Sequence, residues 1–195
     1  MFISFEGCEG SGKSTQIKLL YEFLEYKNIP VISTKEIGGS IEADKIKDLL
    51  LNYDLCKTSQ MLLIMASRFE HTNKVIIPAL LNNTWVICDR YIDSTCSYQS
   101  NDMLSIKEIY EMHDKYIGIY PDITFFIDTK PEIGLERIKN RNNNNKFDEK
   151  DITFHNNIYN NYNYISSINK DRIKVINDNK KEIVLKDILL ALNLI

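Results

Sequence analysis

Four residues near the N-terminus have the types and spacing to bind a polyphosphate. Gly7, Gly12, Lys13 and Ser14 fit the pattern G-x-x-x-x-G-K-S/T, after a short apolar run and before a helical pattern. Glycines let the backbone approach phosphate oxygens, the lysine supplies a charge for the outer phosphates, and the serine hydroxyl suits the magnesium ion of a nucleoside triphosphate. A plain glycine turn is the alternative, and the Gly-Lys-Ser ending argues against it. The predicted triphosphate-binding residues are Gly7, Cys8, Glu9, Gly10, Ser11, Gly12, Lys13, Ser14 and Thr15.

A second polar cluster follows the apolar run 84–88. Asp89 and Arg90 come directly after it, and the polar residues Ser94, Thr95, Tyr98 and Gln99 follow. Ligands of open parallel sheets bind outside the carboxyl ends of the strands, so we expect these residues at the site. Asp89 would support magnesium, Arg90 could bind a second phosphate bidentately, and the other four suit a sugar and a nucleobase edge. A salt bridge between neighbouring elements is the alternative for Asp89 and Arg90.

Three more arginines are candidates for anion binding. Arg68 interrupts the apolar pattern of a long predicted helix, 57–81, and the alternative is an exposed position on its polar face. Arg137 lies near the end of another predicted helix, and Arg141 begins a polar, asparagine-rich stretch that extends to Lys150.

Alternating apolar runs and helical patterns must position these residues. Strands are predicted at 2–5, 30–34, 84–88, 122–128 and 172–176, and helices at 13–26, 41–51, 57–81, 104–117, 131–140, 151–168 and 181–192. Such alternation is typical of a parallel sheet covered on both faces. We therefore expect an α/β, three-layer fold with a five-stranded parallel sheet, in a single domain over residues 1–195. His113, within one of these helices, is expected at the surface.

Composition excludes several classes of function. A length of 195 residues suits one domain, and a formal net charge of -3 gives no basic footprint for a nucleic acid polymer. The four cysteines show no paired metal-ligand spacing. No apolar run approaches the roughly 20 residues that span a bilayer. We expect a cytoplasmic protein with small-molecule partners and no membrane association.

A nucleotide-dependent switch is the main alternative to a phosphotransferase. Asn145, Lys146 and Asp148 spell the guanine-binding pattern N-K-x-D, but they follow an asparagine run instead of a strand. No aspartate has a glycine three residues later, as the switch motif requires. The additional arginines favour phosphoryl transfer.

Over essentially its whole length the sequence resembles bacterial thymidylate kinases, which have the P-loop NTPase fold. The matching segments are 5–16, the D-R-Y-x-x-S-x-x-x-Y-Q block from Asp89 to Gln99, the residues 121–124, and 131–135. The resemblance implies transfer of the γ-phosphoryl group of ATP to dTMP, giving dTDP and ADP, with Mg2+, in dTTP synthesis. It also implies a homodimer that uses the helix 57–81, and a lid at about 137–150.

The resemblance implies a role for each matched residue. The catalytic group is Lys13, Arg90, Arg141 and Glu9; Arg137 and Arg141 join the loop in binding ATP, and Ser14 and Asp89 hold the metal. The dTMP-binding group is Glu9, Arg68, Arg90, Ser94, Thr95, Tyr98 and Gln99.

The sequence departs from the family pattern at several of these places. Lys35 and Ile37 replace an arginine and a proline, Ile64 replaces the aromatic residue that stacks on thymine, and Lys146 replaces a lid arginine. Gly10 stands where some eukaryotic relatives carry an arginine, so the lid is expected to supply the cation for transfer. A kinase for another nucleoside or nucleotide, and an ATP-binding regulator without chemistry, remain alternatives.

Overall fold

A computed structural model describes residues 1–139 and 150–195. Arg141, Lys146 and most of the predicted lid lie outside the described residues.

The described chain alternates strands and helices. The strands are β1 (Phe2–Glu6), β2 (Val31–Lys35), β3 (Trp85–Asp89), β4 (Ile123–Asp128) and β5 (Ile173–Asn177). The helices are α1 (Lys13–Tyr26), α2 (Ile41–Asn52), α3 (Lys57–His71), α4 (Ile77–Leu81), α5 (Ile92–Gln99), α6 (Ile106–Tyr116), α7 (Pro131–Lys139), α8 (Ile152–Ile168) and α9 (Lys181–Ala191). Within these described segments no helix has both the length and the apolarity to span a bilayer.

All the strand pairs of the sheet are parallel, in the order β2-β3-β1-β4-β5. Side chains alternate between its faces because the period of a strand is two residues. Ile3 and Phe5 of β1 pack in one buried cluster with α1 and α9, whereas Phe2 packs in a second cluster with α5, α6 and α8. The predicted α/β fold with helices on both faces is confirmed.

The long predicted helix is interrupted. Residues Thr72–Ile76 form a π-helical turn between α3 and α4, shortly before Pro78. Proline has no amide hydrogen and its ring crowds the carbonyl of residue i−4, so a wider turn ahead of it is a usual accommodation.

The structure differs from the sequence prediction at two places, the residues after Arg90 and His113. The residues after Arg90 form the helix α5, which sequence patterning did not predict. His113 is fully buried, in contrast to the surface position expected for it, and its Nε2 lies 2.9 Å from the carbonyl oxygen of Ile119. The rings of Tyr91 and Tyr120 pack against it, and burial lowers its pKa to about 4, so it is a core residue.

Candidate active site

The loop between β1 and α1 is wrapped around the Lys13 side chain. Lys13 Nζ donates to the carbonyl oxygens of Gly7, at 3.0 Å, and Cys8, at 2.9 Å. Gly12 precedes the helix with a φ of 90°, a left-handed conformation that disfavours other residues. Residues 9–15, with Asp89 and Arg90, line a cavity of about 110 Å³. Burial, and next the charge of Arg90, lower the pKa of Lys13.

The loop also packs backbone to backbone on α7. A Cβ atom at Gly10 would lie 2.1 Å from the carbonyl oxygen of Gly134, and a Cβ atom at Gly134 would lie 2.1 Å from that of Glu9. Neither position has room for a side chain. An arginine at position 10 is therefore incompatible with this packing.

Ser14 and Asp89 meet at the mouth of the loop. Ser14 Oγ donates to Asp89 Oδ2 at 3.3 Å. Asp89 Oδ1 is buried and has no hydrogen-bond partner among residues 1–139 and 150–195. An unpartnered carboxylate oxygen beside a hydroxyl is a donor set that Mg2+ accepts, so these residues fit the metal that the family implies.

Arg90 is held from several sides. Its Nη1 donates to the carbonyl oxygen of Gly7, to Ser94 Oγ and to Tyr162 Oη, each at 3.1 Å, and its Nη2 donates to Glu9 Oε1 at 2.8 Å. Nε and the second hydrogen of Nη2 make no hydrogen bond within the described part of the chain. They form the planar edge of a guanidinium that binds a phosphate bidentately.

Glu9 stands beside Arg90. Tyr98 Oη donates to the same Glu9 oxygen at 3.0 Å. Burial alone would raise the pKa of Glu9, but the charges of Arg90 and Lys13 outweigh it and hold that pKa below its ordinary value. Glu9 is therefore an anion next to two cations.

A larger cavity of about 340 Å³ adjoins this pair. Glu9 and Arg90 line both cavities, so they mark the place where the two meet. The predicted residues that line the larger cavity are Glu9, Arg68, Arg90, Ser94, Thr95, Tyr98 and Gln99, and Ile64 lies among them.

Arg68 is buried, not on an exposed face. Its side chain is 1% exposed, its Nε donates to Glu36 Oε2 at 2.7 Å, and its Nη2 donates to Thr95 Oγ1 at 2.8 Å. His71 Nδ1 lies 3.0 Å from the other Glu36 oxygen, and its Nε2 lies 2.7 Å from Thr34 Oγ1. The Arg68 guanidinium thus has a fixed orientation at the wall of the cavity.

Arg137 lies beside the phosphate-binding loop. Its Nη2 is 2.8 Å from Asp178 Oδ2, and its Nη1 donates to the carbonyl oxygen of Gly10 at 3.4 Å. The structure therefore brings together every predicted site residue except Arg141, which lies outside the described residues.

Four residues of this region were not predicted as site residues: Glu6, Glu36, His71 and Tyr162. Burial, followed by the charge of Asp93, raises the pKa of Glu6 to about 7. A carboxylate at the end of a buried strand rarely lacks a partner, and His71 lies one turn after Arg68, so both carry a weak sequence signal.

A parallel sheet in this order, with a phosphate-binding loop after β1, defines a P-loop nucleotide-binding protein, and the arginine-lined cavity beside the loop is an arrangement that suits a nucleotide kinase. The family model described as thymidylate kinase matches residues 5–188. The chain belongs to the thymidylate kinase family, as the resemblance predicted, and is an enzyme.

Individual relatives agree with this assignment. A thymidylate kinase from Rickettsia africae (strain ESF-5) is 45% identical over 177 residues, which cover 90% of this chain and 87% of the relative. One from Rickettsia bellii (strain OSU 85-389) is 46% identical over 90% of this chain and 86% of its own length. The crystal structure of thymidylate kinase from Ehrlichia chaffeensis superimposes with a TM-score of 0.80 at 34% identity, covering 98% of both chains.

Proposed function

We propose that this enzyme transfers the γ-phosphoryl group of ATP to dTMP, giving dTDP and ADP, with Mg2+, as a step in dTTP synthesis. The observation that carries the proposal is the position of Arg90 and Glu9 between the loop cavity and the larger cavity. A donor phosphate in the first cavity and an acceptor phosphate in the second would meet at Arg90.

The donor side is assigned to the phosphate-binding loop. Lys13 would exchange its contacts with the loop carbonyls for the outer phosphates of ATP, and Arg137 lies close enough to assist. Ser14 Oγ and Asp89 would hold Mg2+, which when bound neutralises charge on the phosphates.

The acceptor side is assigned to the larger cavity. The free edge of Arg90 would bind the dTMP phosphate, and Tyr98 and Glu9 would lie against the sugar. Arg68, Thr95 and Gln99 would contact the base, with Ile64 as an apolar wall. An acceptor phosphate is already an anionic nucleophile, so positioning and cations contribute more to this reaction than a strong base.

The cation that stabilises transfer is assigned to Arg141, with Lys146 assisting. Gly10 has no room for a side chain, which supports a source elsewhere in the chain. Arg141→Ala should lower turnover tenfold or more, about 1.4 kcal/mol of barrier. Arg141→Lys, which keeps the charge without the planar fork, should lose less. A smaller loss in Arg141→Ala would remove the assignment.

Release of ADP from ATP with a panel of acceptors tests the proposal. We expect dTMP to be the best acceptor among dTMP, dUMP, dCMP and AMP, and ADP release without an acceptor to be negligible. Faster ADP release with another monophosphate would indicate a different nucleotide kinase. If no acceptor in the panel gave ADP release, the protein would be an ATP-binding regulator without chemistry.

The enzyme is also proposed to act as a homodimer. Leu62 and Phe69 lie seven residues apart on α3 with 52% and 47% of their surface exposed, which gives an apolar stripe on that helix. Light scattering should give twice the mass of the chain, and Phe69→Glu should reduce it to a monomer. A monomeric unmodified protein would refute this.

Two further expectations complete the proposal. Residues 1–195 would form a single domain with a lid at about 137–150, and one cooperative unfolding transition would support this. We propose the cytoplasm as its compartment because the reaction consumes ATP.

A further inference from the structure

A buried carboxylate outside the phosphate-binding loop organises the surroundings of Arg90. Glu6, the last residue of β1, is fully buried and accepts three hydrogen bonds. The backbone N–H of Tyr91 donates to Oε1 at 2.7 Å, and the hydroxyls of Ser94 and Tyr162 donate to Oε2 at 2.6 Å and 2.9 Å. These donors come from the start of α5 and from the middle of α8.

The hydroxyls of Ser94 and Tyr162 connect Glu6 to Arg90. Each hydroxyl has one hydrogen to donate and lone pairs that can accept from Arg90. Ser94 Oγ and Tyr162 Oη lie 2.8 Å from each other and both lie within hydrogen-bond distance of Glu6 Oε2, so their two hydrogens are used within this triangle and lone pairs of both oxygens face elsewhere. Arg90 Nη1 lies 3.1 Å from each of these oxygens and donates to them. Glu6 thus fixes the position of the two hydroxyls that accept from one nitrogen of the guanidinium.

The other edge of the guanidinium depends on this contact. The two hydrogens of Nη1 are shared among Ser94, Tyr162 and the carbonyl oxygen of Gly7, and the plane of the guanidinium is rigid. Holding Nη1 therefore fixes the direction in which Nε and Nη2 face the junction of the two cavities. Arg90 also has a left-handed φ of 70°, so its backbone is constrained together with its side chain.

We propose that Glu6 and Tyr162 are positioning residues, which orient Arg90 so that its Nε–Nη2 edge receives the phosphate of the acceptor nucleotide. This inference rests on the proposed function, because it assigns Arg90 to the acceptor phosphate. Neither residue lines either cavity, so neither is expected to touch a nucleotide.

Two conservative substitutions test the two sets of contacts, those of Glu6 with the hydroxyls and those of the hydroxyls with Arg90. Tyr162→Phe removes one acceptor from Nη1 and leaves the ring, which stacks on Phe126 at 5.2 Å between centroids. Glu6→Gln keeps the shape of the side chain but replaces one of its two accepting oxygens with an NH2 group. That NH2 group must face either the Tyr91 N–H or the two hydroxyls, which are donors to Glu6 in the unmodified protein. If the amide oxygen accepts from the Tyr91 N–H, the amide nitrogen donates to the hydroxyl oxygens, so the hydroxyls lose the acceptor at position 6 and their contacts with Nη1 are disturbed.

Tyr159→Phe is the matched control. Tyr159 lies on α8 one turn before Tyr162, and its hydroxyl also donates to a carboxylate at a strand end, Asp128 Oδ1 at 2.8 Å. It has no contact with Arg90 within the described residues. A loss that came only from weakening α8 would appear in this variant too.

The measurement is the pair of KM values for dTMP and ATP, with kcat, in each purified variant. Tyr162→Phe removes one of the three acceptors that share the two Nη1 hydrogens, so it should raise KM for dTMP about threefold or more. Glu6→Gln should raise it further, and the double variant should lose less than the product of the two. KM for ATP should change less than about twofold, and Tyr159→Phe should match the unmodified enzyme.

Several results would overturn the inference. They are an unchanged KM for dTMP in Tyr162→Phe, an equal rise in both KM values, or an equal loss in Tyr159→Phe. If Glu6→Gln does not fold, Tyr162→Phe alone decides. Absence of dTMP-dependent ADP release in the unmodified protein would instead contradict the proposed function, so the two failures are distinguishable.

Discussion

The contact between Gly10 and Gly134 makes a quantitative prediction about stability. Gly10→Ala places a methyl group where a Cβ would be 2.1 Å from a backbone oxygen, far inside van der Waals contact. Because that neighbour is backbone, it cannot turn away as a side chain would. The phosphate-binding loop and α7 must separate instead.

The cost has two parts. Alanine at a φ of 70° costs about 1–2 kcal/mol in backbone conformation, and overpacking adds about 1–3 kcal/mol. We therefore expect the free energy of unfolding to fall by about 2–5 kcal/mol. For a chain of this size each kcal/mol corresponds to about 2–4 °C in Tm.

Gly12→Ala separates the two parts. Gly12 also has a left-handed φ, 90°, but a Cβ atom there would meet nothing within 4 Å. Only the conformational cost of about 1–2 kcal/mol applies. Gly134→Ala is the reciprocal test, because alanine should stabilise a helix by about 1 kcal/mol over glycine, whereas the contact with the Glu9 carbonyl oxygen opposes it.

Thermal and urea unfolding of the three variants without nucleotide is the assay. Gly10→Ala should be less stable than Gly12→Ala by about 1–3 kcal/mol, and Gly134→Ala should be less stable than the unmodified protein. Equal stability of Gly10→Ala and Gly12→Ala would refute the close packing, as would a stabilising Gly134→Ala.

Three further predictions concern the cavity and the buried carboxylates. Arg68→Met should lower the free energy of unfolding by about 3 kcal/mol in urea, because it removes the cation paired with Glu36, whose side chain is 4% exposed, and leaves that carboxylate only its contact with His71 among the described residues. Adding Glu36→Gln should recover much of that loss, and failure to do so would contradict the pairing. Ile64→Phe should lower the Kd for dTMP about two- to tenfold through ring stacking, whereas Leu62→Phe, outside the cavity, should not change it. Burial and Asp93 raise the pKa of Glu6 from 4.5 to about 7, so its contribution to stability is complete below about pH 4.5 and is lost as pH rises through about 7. Urea unfolding across that range should show this decline in the unmodified protein and not in Glu6→Gln, and parallel pH profiles would refute it.

Much of the fold follows from local patterns. Apolar runs predict the bounds of all five described strands to within one residue at each end; the three central strands β1, β3 and β4 are mostly buried and apolar, and the edge strands β2 and β5 keep enough apolar residues to be recognised. The motif from Gly7 to Ser14 predicts the loop, and position at the carboxyl ends of strands predicts that Asp89 and Arg90 approach it. These features depend on neighbours in sequence or on a general rule of parallel sheets.

The remaining features depend on tertiary contacts that no local pattern contains. Glu36 and Arg68 are 32 residues apart and belong to different elements, and Glu6 and Tyr162 are 156 residues apart. The π-helical turn before Pro78 accommodates that proline within an otherwise regular helical pattern, and the pattern itself gives no sign of the wider turn. The short helix α5 has several buried polar residues, so it lacks the amphipathic period on which helix prediction depends.

The most direct test of the central claim follows the phosphoryl group itself. The enzyme is incubated with Mg2+, dTMP and ATP that carries a radioactive γ-phosphoryl group, and the products are separated. The account predicts that the label appears in dTDP, in equal amount to the ADP formed. Label in inorganic phosphate, or in another diphosphate in preference to dTDP when the acceptors compete, would contradict it.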